Sequence, residues 1–121
     1  MTLDEFNQFC SALPATNKVI QWGDAHVWKV DSKIFAIASG PIDAGDHWRI
    51  SFKASDMSFE ILSNQTGLAP APYLARAKWI QVQEAQALSN EEMAAYLQQA
   101  HTLIAAKLTK ARQRQLGLLE T

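Results

Sequence analysis

The sequence predicts an α+β fold: an antiparallel sheet with an N-terminal helix, a short middle helix and a long C-terminal helix packed on one face. Two observations set the helices. The chain opens with apolar residues at helical spacing behind a capping pair, and it closes the same way. A third sets the sheet, because "HWRISFK" alternates with period two between these ends.

In "TLDEFNQFCSALP", Thr2 is the expected N-cap and Glu5, three residues later, completes a capping box. Leu3, Phe6, Cys10 and Leu13 fall on one stripe, and Pro14 stops the helix. A short strand is expected around "VIQW". Residues 26 to 39 read as a hairpin, "HVWKV" returning through the Asp31-Ser32 turn as "KIFAIAS". "SGPIDAGD" has the composition of a loop. In "HWRISFK", Trp48, Ile50 and Phe52 are expected toward the core. His47, Arg49, Ser51 and Lys53 are expected on a wet face, as in a sheet covered on one side. "SDMSFEILSNQTG" reads as a short helix capped by Ser55 and ended by Gly67. A last strand, "WIQVQ", follows "PAPYLARAK". Ser89 and Glu92 then form a second capping box. Met93, Leu97, Ala100, Ile104, Leu108 and Ala111 make one stripe over about five turns.

At 121 residues, without repeats or linkers, residues 1–121 are expected to form a single domain. The hydrophobic fraction of 48% and charged fraction of 19% are those of a globular protein. No apolar run reaches membrane-spanning length, and "MTLDEFNQF" lacks the basic start of a signal peptide, so a cytoplasmic monomer is expected. The one cysteine, Cys10, lies on the first helix's apolar stripe and reads as a buried, inert thiol.

Catalytic equipment is not visible. The five glycines are scattered, and no nucleophile–base pair stands out. His26, His47 and His101 are far apart in sequence; His26 and His47, both at strand starts, could meet in space, but solvated or hydrogen-bonded rings are the simpler account. No enzyme activity, metal or cofactor is expected.

Two basic patches are the candidates for binding. Arg49 and Lys53 share the wet side of a strand, and Lys107, Lys110 and Arg114 share one ridge of the last helix. Each also has a structural reading, the first as solvated sheet surface and the second as cations at the negative end of a helix dipole. A net charge of −1 argues against a dedicated nucleic-acid binder, for which a basic excess is usual.

The order of several pieces resembles the MmcQ/YjbR family over essentially the whole chain. They are the first helix ending "ALP", then "WGD", "VWKVDSKIFA", "RISFKAS", "PAPYLARAKW" and a final helix ending in basic residues. The resemblance implies a compact α+β fold of the kind seen in CyaY-like proteins and type III secretion chaperones, and a role in DNA binding, the label family members commonly carry. Many members have polar residues at the positions of Tyr73, Ala75 and Lys78, a departure that speaks against a shared polar site at this turn. Pro72 and Trp79 keep the pattern. Pro72, Tyr73 and Trp79 are therefore expected to be structural: Pro72 starting a helical turn, Tyr73 and Leu74 capping the sheet edge, Trp79 anchoring the last strand. Arg76 and Lys78 are added to the cations for phosphate contact. DNA is thus the first expected partner, contacted weakly through phosphates. The alternative is a protein-interaction module using a sheet face or apolar groove; a small-molecule binder comes third.

Overall fold

The computed structural model describes residues 1–119. The first helix forms where its local signals place it. Thr2 Oγ1 accepts from the Glu5 amide at 3.2 Å and the Glu5 carboxylate accepts from the Thr2 amide at 2.8 Å, and α1 runs Leu3–Ala12. Phe6 and Cys10 are buried beneath it. Asn7 ties the helix to the sheet by accepting from the Trp28 indole at 2.9 Å.

Six antiparallel strands follow in the spatial order β1-β2-β3-β4-β6-β5. They are β1 (Thr16–Gln21), β2 (Ala25–Val30), β3 (Lys33–Pro41), β4 (Trp48–Lys53), β5 (Leu68–Pro70) and β6 (Trp79–Val82). Asp31 turns β2 into β3 with φ 55°, a left-handed conformation that Asp tolerates better than most residues. A bulge shifts the β2–β3 register between Trp28 and Lys29. That places Phe35 and Ala36, adjacent in sequence, in the same core under the helices. After β4 the chain forms α2 (Asp56–Leu62), makes the edge strand β5, and turns back so that β6 inserts between β5 and β4. Ser55 caps α2 as expected, but the helix ends at Leu62, before Gly67. Gly67 serves the turn into β5, with φ 82° and room for no Cβ, which would stand 2.9 Å from that of Ala87.

The C-terminal helix is shorter than its apolar stripe suggests. α3 covers Asn90–Ala105, and a separate α4 covers Lys110–Gln115. Thr109 makes the break: its backbone is extended and its side chain accepts from the Arg112 amide, starting a new helix. Leu108 is buried in the bend, while Ala111, expected on the stripe, is exposed.

Both faces of the sheet carry apolar side chains. The helix-covered face packs Phe6, Trp28, Phe35, Ile50, Phe52, Ile80 and Leu97, among others. The opposite face, expected to be wet, holds a second, smaller core of Ala25, Val27, Ile37, Ala71 and Trp79, with Leu74 against it. The reason is the segment between β5 and β6, which folds back over this face and shields its centre. Ser51, expected in water, is consequently 4% exposed. Among the described residues, no helix is long and apolar enough to cross a membrane.

Candidate functional site

The cations singled out in the sequence divide into separate groups. Arg49 lies near the start of β4, where its guanidinium donates to the Pro41 carbonyl at 3.3 Å. Lys53 is at the strand's other end, about 13 Å away along the chain. Its ammonium donates to the Ala77 carbonyl. Burial lowers the Lys53 pKa, and the nearby charges of Lys107 and Lys78 push the same way while Asp56 opposes them. Lys53, Lys78 and Lys107 therefore share one neighbourhood, with an acid among them. Lys78 sits in a left-handed backbone position (φ 64°), its ammonium 5.2 Å above the Phe59 ring. Arg76 is exposed on the single 3₁₀ turn Ala75–Ala77. The expected ridge of Lys107, Lys110 and Arg114 is divided, because Lys107 lies in the bend and the other two on α4.

The stretch around Pro72 builds a different kind of surface. Ala71 donates its amide to Trp79 O at 2.9 Å, Leu74 to Ala71 O at 3.1 Å, and Trp79 to Leu74 O at 3.2 Å. These bonds close the segment into a flap over the far face. Trp79 is buried and pairs with Lys53 at the start of β6. Pro72 is exposed, and the 3₁₀ turn begins three residues later, at Ala75. Tyr73 does not cap the sheet edge. It is fully exposed, with φ 66°.

Between the flap and the sheet lies a cleft of about 590 Å³. Ala25, Ile34, Ile37 and Ser39 come from β2 and β3, Ser51 from β4 and Gln81 from β6. The flap contributes Ala71, Pro72, Tyr73 and Leu74, β6 adds Trp79, and the β1–β2 turn adds Trp22. Trp22, like Tyr73, is an exposed aromatic in left-handed backbone, at φ 50°. Among the described residues, no charged side chain lines the cleft. Its most buried polar group is Ser51, whose Oγ accepts from the Gln81 amide nitrogen at 3.5 Å. Volume, apolar lining and few polar groups are those of a small-ligand pocket.

The histidines have structural partners. His26 Nδ1 lies 3.3 Å from both the Asn7 amide and the Lys18 ammonium; burial, then Lys18, lowers its pKa. His47 Nδ1 contacts Asp43 at 3.1 Å, and the buried His101 donates to Pro14 O at 2.8 Å. Among the described residues, no group of three His, Cys, Asp or Glu could hold a metal ion. Cys10 is fully buried and its thiol pKa is raised by that burial.

Sequence reasoning missed Trp22, Ser39 and Ser51 as cleft residues and Arg112 as an ion-pair donor. One signal was present: "KIFAIAS" is apolar at both parities, which marks a strand covered on both faces.

The sequence model of the YjbR family matches residues 11–103. The chain belongs to the YjbR family. That match contains every residue lining the cleft and stops short of Lys107, Lys110 and Arg114. Among solved structures, the chain is similar to the Deinococcus radiodurans protein DR2400, described as having a DUF419 domain. The TM-score is 0.84 at 25% identity, over 99% of this chain and 91% of that one. A Pseudomonas syringae protein shares the fold, with a TM-score of 0.70 at 19% identity over 86% of this chain and 99% of that one. No curated protein matches this YjbR-family sequence.

Proposed function

We propose that this YjbR-family chain is a non-enzymatic binding module that holds an apolar ligand in the far-face cleft. One observation carries the reading: the cleft is flanked by Trp22 and Tyr73, two exposed aromatics both in left-handed backbone. Such conformations are uncommon for bulky residues and collect at ligand clamps. A sheet face meant only for water would need neither the flap nor these side chains.

The test is a titration of the 15N-labelled protein with the neutral dye N-phenyl-1-naphthylamine. Shifts concentrated at Ala25, Ile37, Ser51 and Trp79 support the reading. Absence of binding, or shifts confined to the helix-covered side, overturns it.

DNA binding is the second reading, and the specific observation in its favour is that the charges of Lys107 and Lys78 both act on Lys53. It is the weaker of the two because Arg49 is distant and already bonded to Pro41 O, and because the net charge is −1.

A further inference from the structure

The cleft's chemistry narrows what it would hold. We infer that its ligand is a neutral, flat aromatic molecule carrying a hydrogen-bond acceptor that the Ser51 hydroxyl reads. This inference rests on the cleft being the binding site and adds the ligand's class.

Neutrality follows from the walls. An ion entering an apolar cleft loses water and must recover the loss from a counter-charge or several donors. Among the described residues no charged side chain lines this cleft, and Arg49, a cation on the same face of β4, already donates to Pro41 O. Flatness and aromaticity follow from Trp22, Tyr73 and Trp79, three aromatic residues among those lining one pocket, since aromatic side chains favour stacked or edge-on aromatic partners.

A peptide main chain is disfavoured by the topology. β2, β3, β4 and β6, which provide the cleft's sheet residues, each have a strand on both sides. Their backbone groups are engaged in the ladders, so an inserted peptide would find few partners for its own amides and carbonyls. A small molecule brings no such series of groups.

The acceptor follows from Ser51. Its side chain is almost wholly buried, at 4% exposure, and lines the cleft. Its oxygen accepts from Gln81 Nε2, and Gln81 Oε1 accepts in turn from Gln83 Nε2 at 3.2 Å. Among the described residues nothing accepts from the Ser51 hydroxyl, so this chain of bonds ends in one donor with no protein acceptor. A ligand ketone, ether or hydroxyl oxygen would complete it.

Displacement of N-phenyl-1-naphthylamine by three molecules of matched shape tests this: 2-acetylnaphthalene (neutral acceptor), 2-ethylnaphthalene (no acceptor) and 2-naphthoate (charged acceptor). The ketone should displace the dye about three- to tenfold better than the hydrocarbon, the range expected for one net hydrogen bond. The naphthoate should be the weakest. Ser51→Ala, its folding checked by a native-like 15N spectrum and thermal melt, should bring ketone and hydrocarbon to parity. Equal displacement by ketone and hydrocarbon in the unmodified protein overturns the acceptor. A naphthoate that binds best overturns neutrality. A ketone preference that survives Ser51→Ala overturns the role of Ser51. In these three cases the dye still binds and the cleft remains a site; failure of the dye to bind at all removes the cleft reading itself.

Discussion

Arg112 of α4 reaches Asp31 in the β2–β3 turn with two bonds, Nη2 to Oδ1 at 2.8 Å and Nε to Oδ2 at 3.3 Å. This fork joins the last helix to the far end of a hairpin made much earlier in the chain. It also fixes which way α4 points after the break at Thr109, so that Arg112 is committed to structure while Lys110 and Arg114 remain on the exposed surface.

The pair should show a pH signature. Hydrogen bonding to Arg112, then its charge, holds the Asp31 carboxyl below its ordinary value. A depressed folded-state pKa contributes stability above the unfolded-state value, and loses it as pH falls through the folded one. Arg112→Ala should therefore melt slightly below the unmodified protein at neutral pH, and the gap should close in strong acid. Both partners are on the surface, so high salt should narrow the gap as well. A gap that is unchanged in acid and in salt would mean that Arg112 acts through packing of its stem.

Phe52 tests the core. It is fully buried and stacks on Tyr96 with ring centroids 5.6 Å apart. Phe52→Ala should lower unfolding free energy by about 3–5 kcal/mol, measured by urea denaturation. A loss below about 1 kcal/mol would show that the cavity collapses or that the ring contributes little.

The buried Phe52 and Ile50, and Trp48 half-buried against the same core, were legible because period-two alternation is local, as are the capping boxes at Thr2 and Ser89. The far face was not legible, for reasons that are tertiary. Ser51 reads as solvent-facing until Ala71 to Trp79 fold back over it, and that return depends on backbone bonds among residues with no shared periodicity. β5 is three residues long and contains Pro70, too short for alternation to be seen. The break between α3 and α4 turns on Thr109 capping its own helix against a continuing apolar stripe. The cations were visible as residues, but their grouping was not, since Lys53, Lys78 and Lys107 meet only in the folded chain.

Cys10 is fully buried, and burial raises its thiol pKa, so very little thiolate exists at neutral pH. A disulfide reagent such as 5,5′-dithiobis(2-nitrobenzoate) should label it only at the rate of unfolding, and fully in denaturant. Stoichiometric labelling of the native protein within minutes would show that α1 opens readily.

If DNA binds, the three converging lysines set its salt dependence. Three neutralised phosphates give a slope of log K against log salt of about −2.7 on duplex, so a fourfold rise in salt weakens binding roughly 40-fold. Replacing Lys78 and Lys107 together by Ala should flatten the slope by about 1.8. Arg49→Ala should leave it unchanged. A slope that responds to Arg49 instead would move the contact to the start of β4, and no association at about 50 mM salt would remove the DNA reading.

Tyr73 allows stability and binding to be separated. Its side chain is fully exposed, so removing it deletes little packing, while its φ of 66° is one that glycine adopts without strain. A left-handed conformation costs a non-glycine residue about 1–2 kcal/mol. Against that relief, glycine makes the unfolded chain more flexible, an effect of about 0.4–1 kcal/mol in the opposite direction. Tyr73→Gly should thus be neutral to about 1 kcal/mol more stable by urea denaturation. Yet it should weaken N-phenyl-1-naphthylamine binding, because the tyrosine ring is one of the two aromatics flanking the cleft. Trp22→Gly, at φ 50°, should behave in the same direction. Gain in stability with loss of binding is the combination expected of strain kept for a ligand. Unchanged dye affinity in both variants would leave the two rings without a part in binding, and a marked loss of stability would mean that Tyr73 and Trp22 are held by contacts that outweigh their backbone strain.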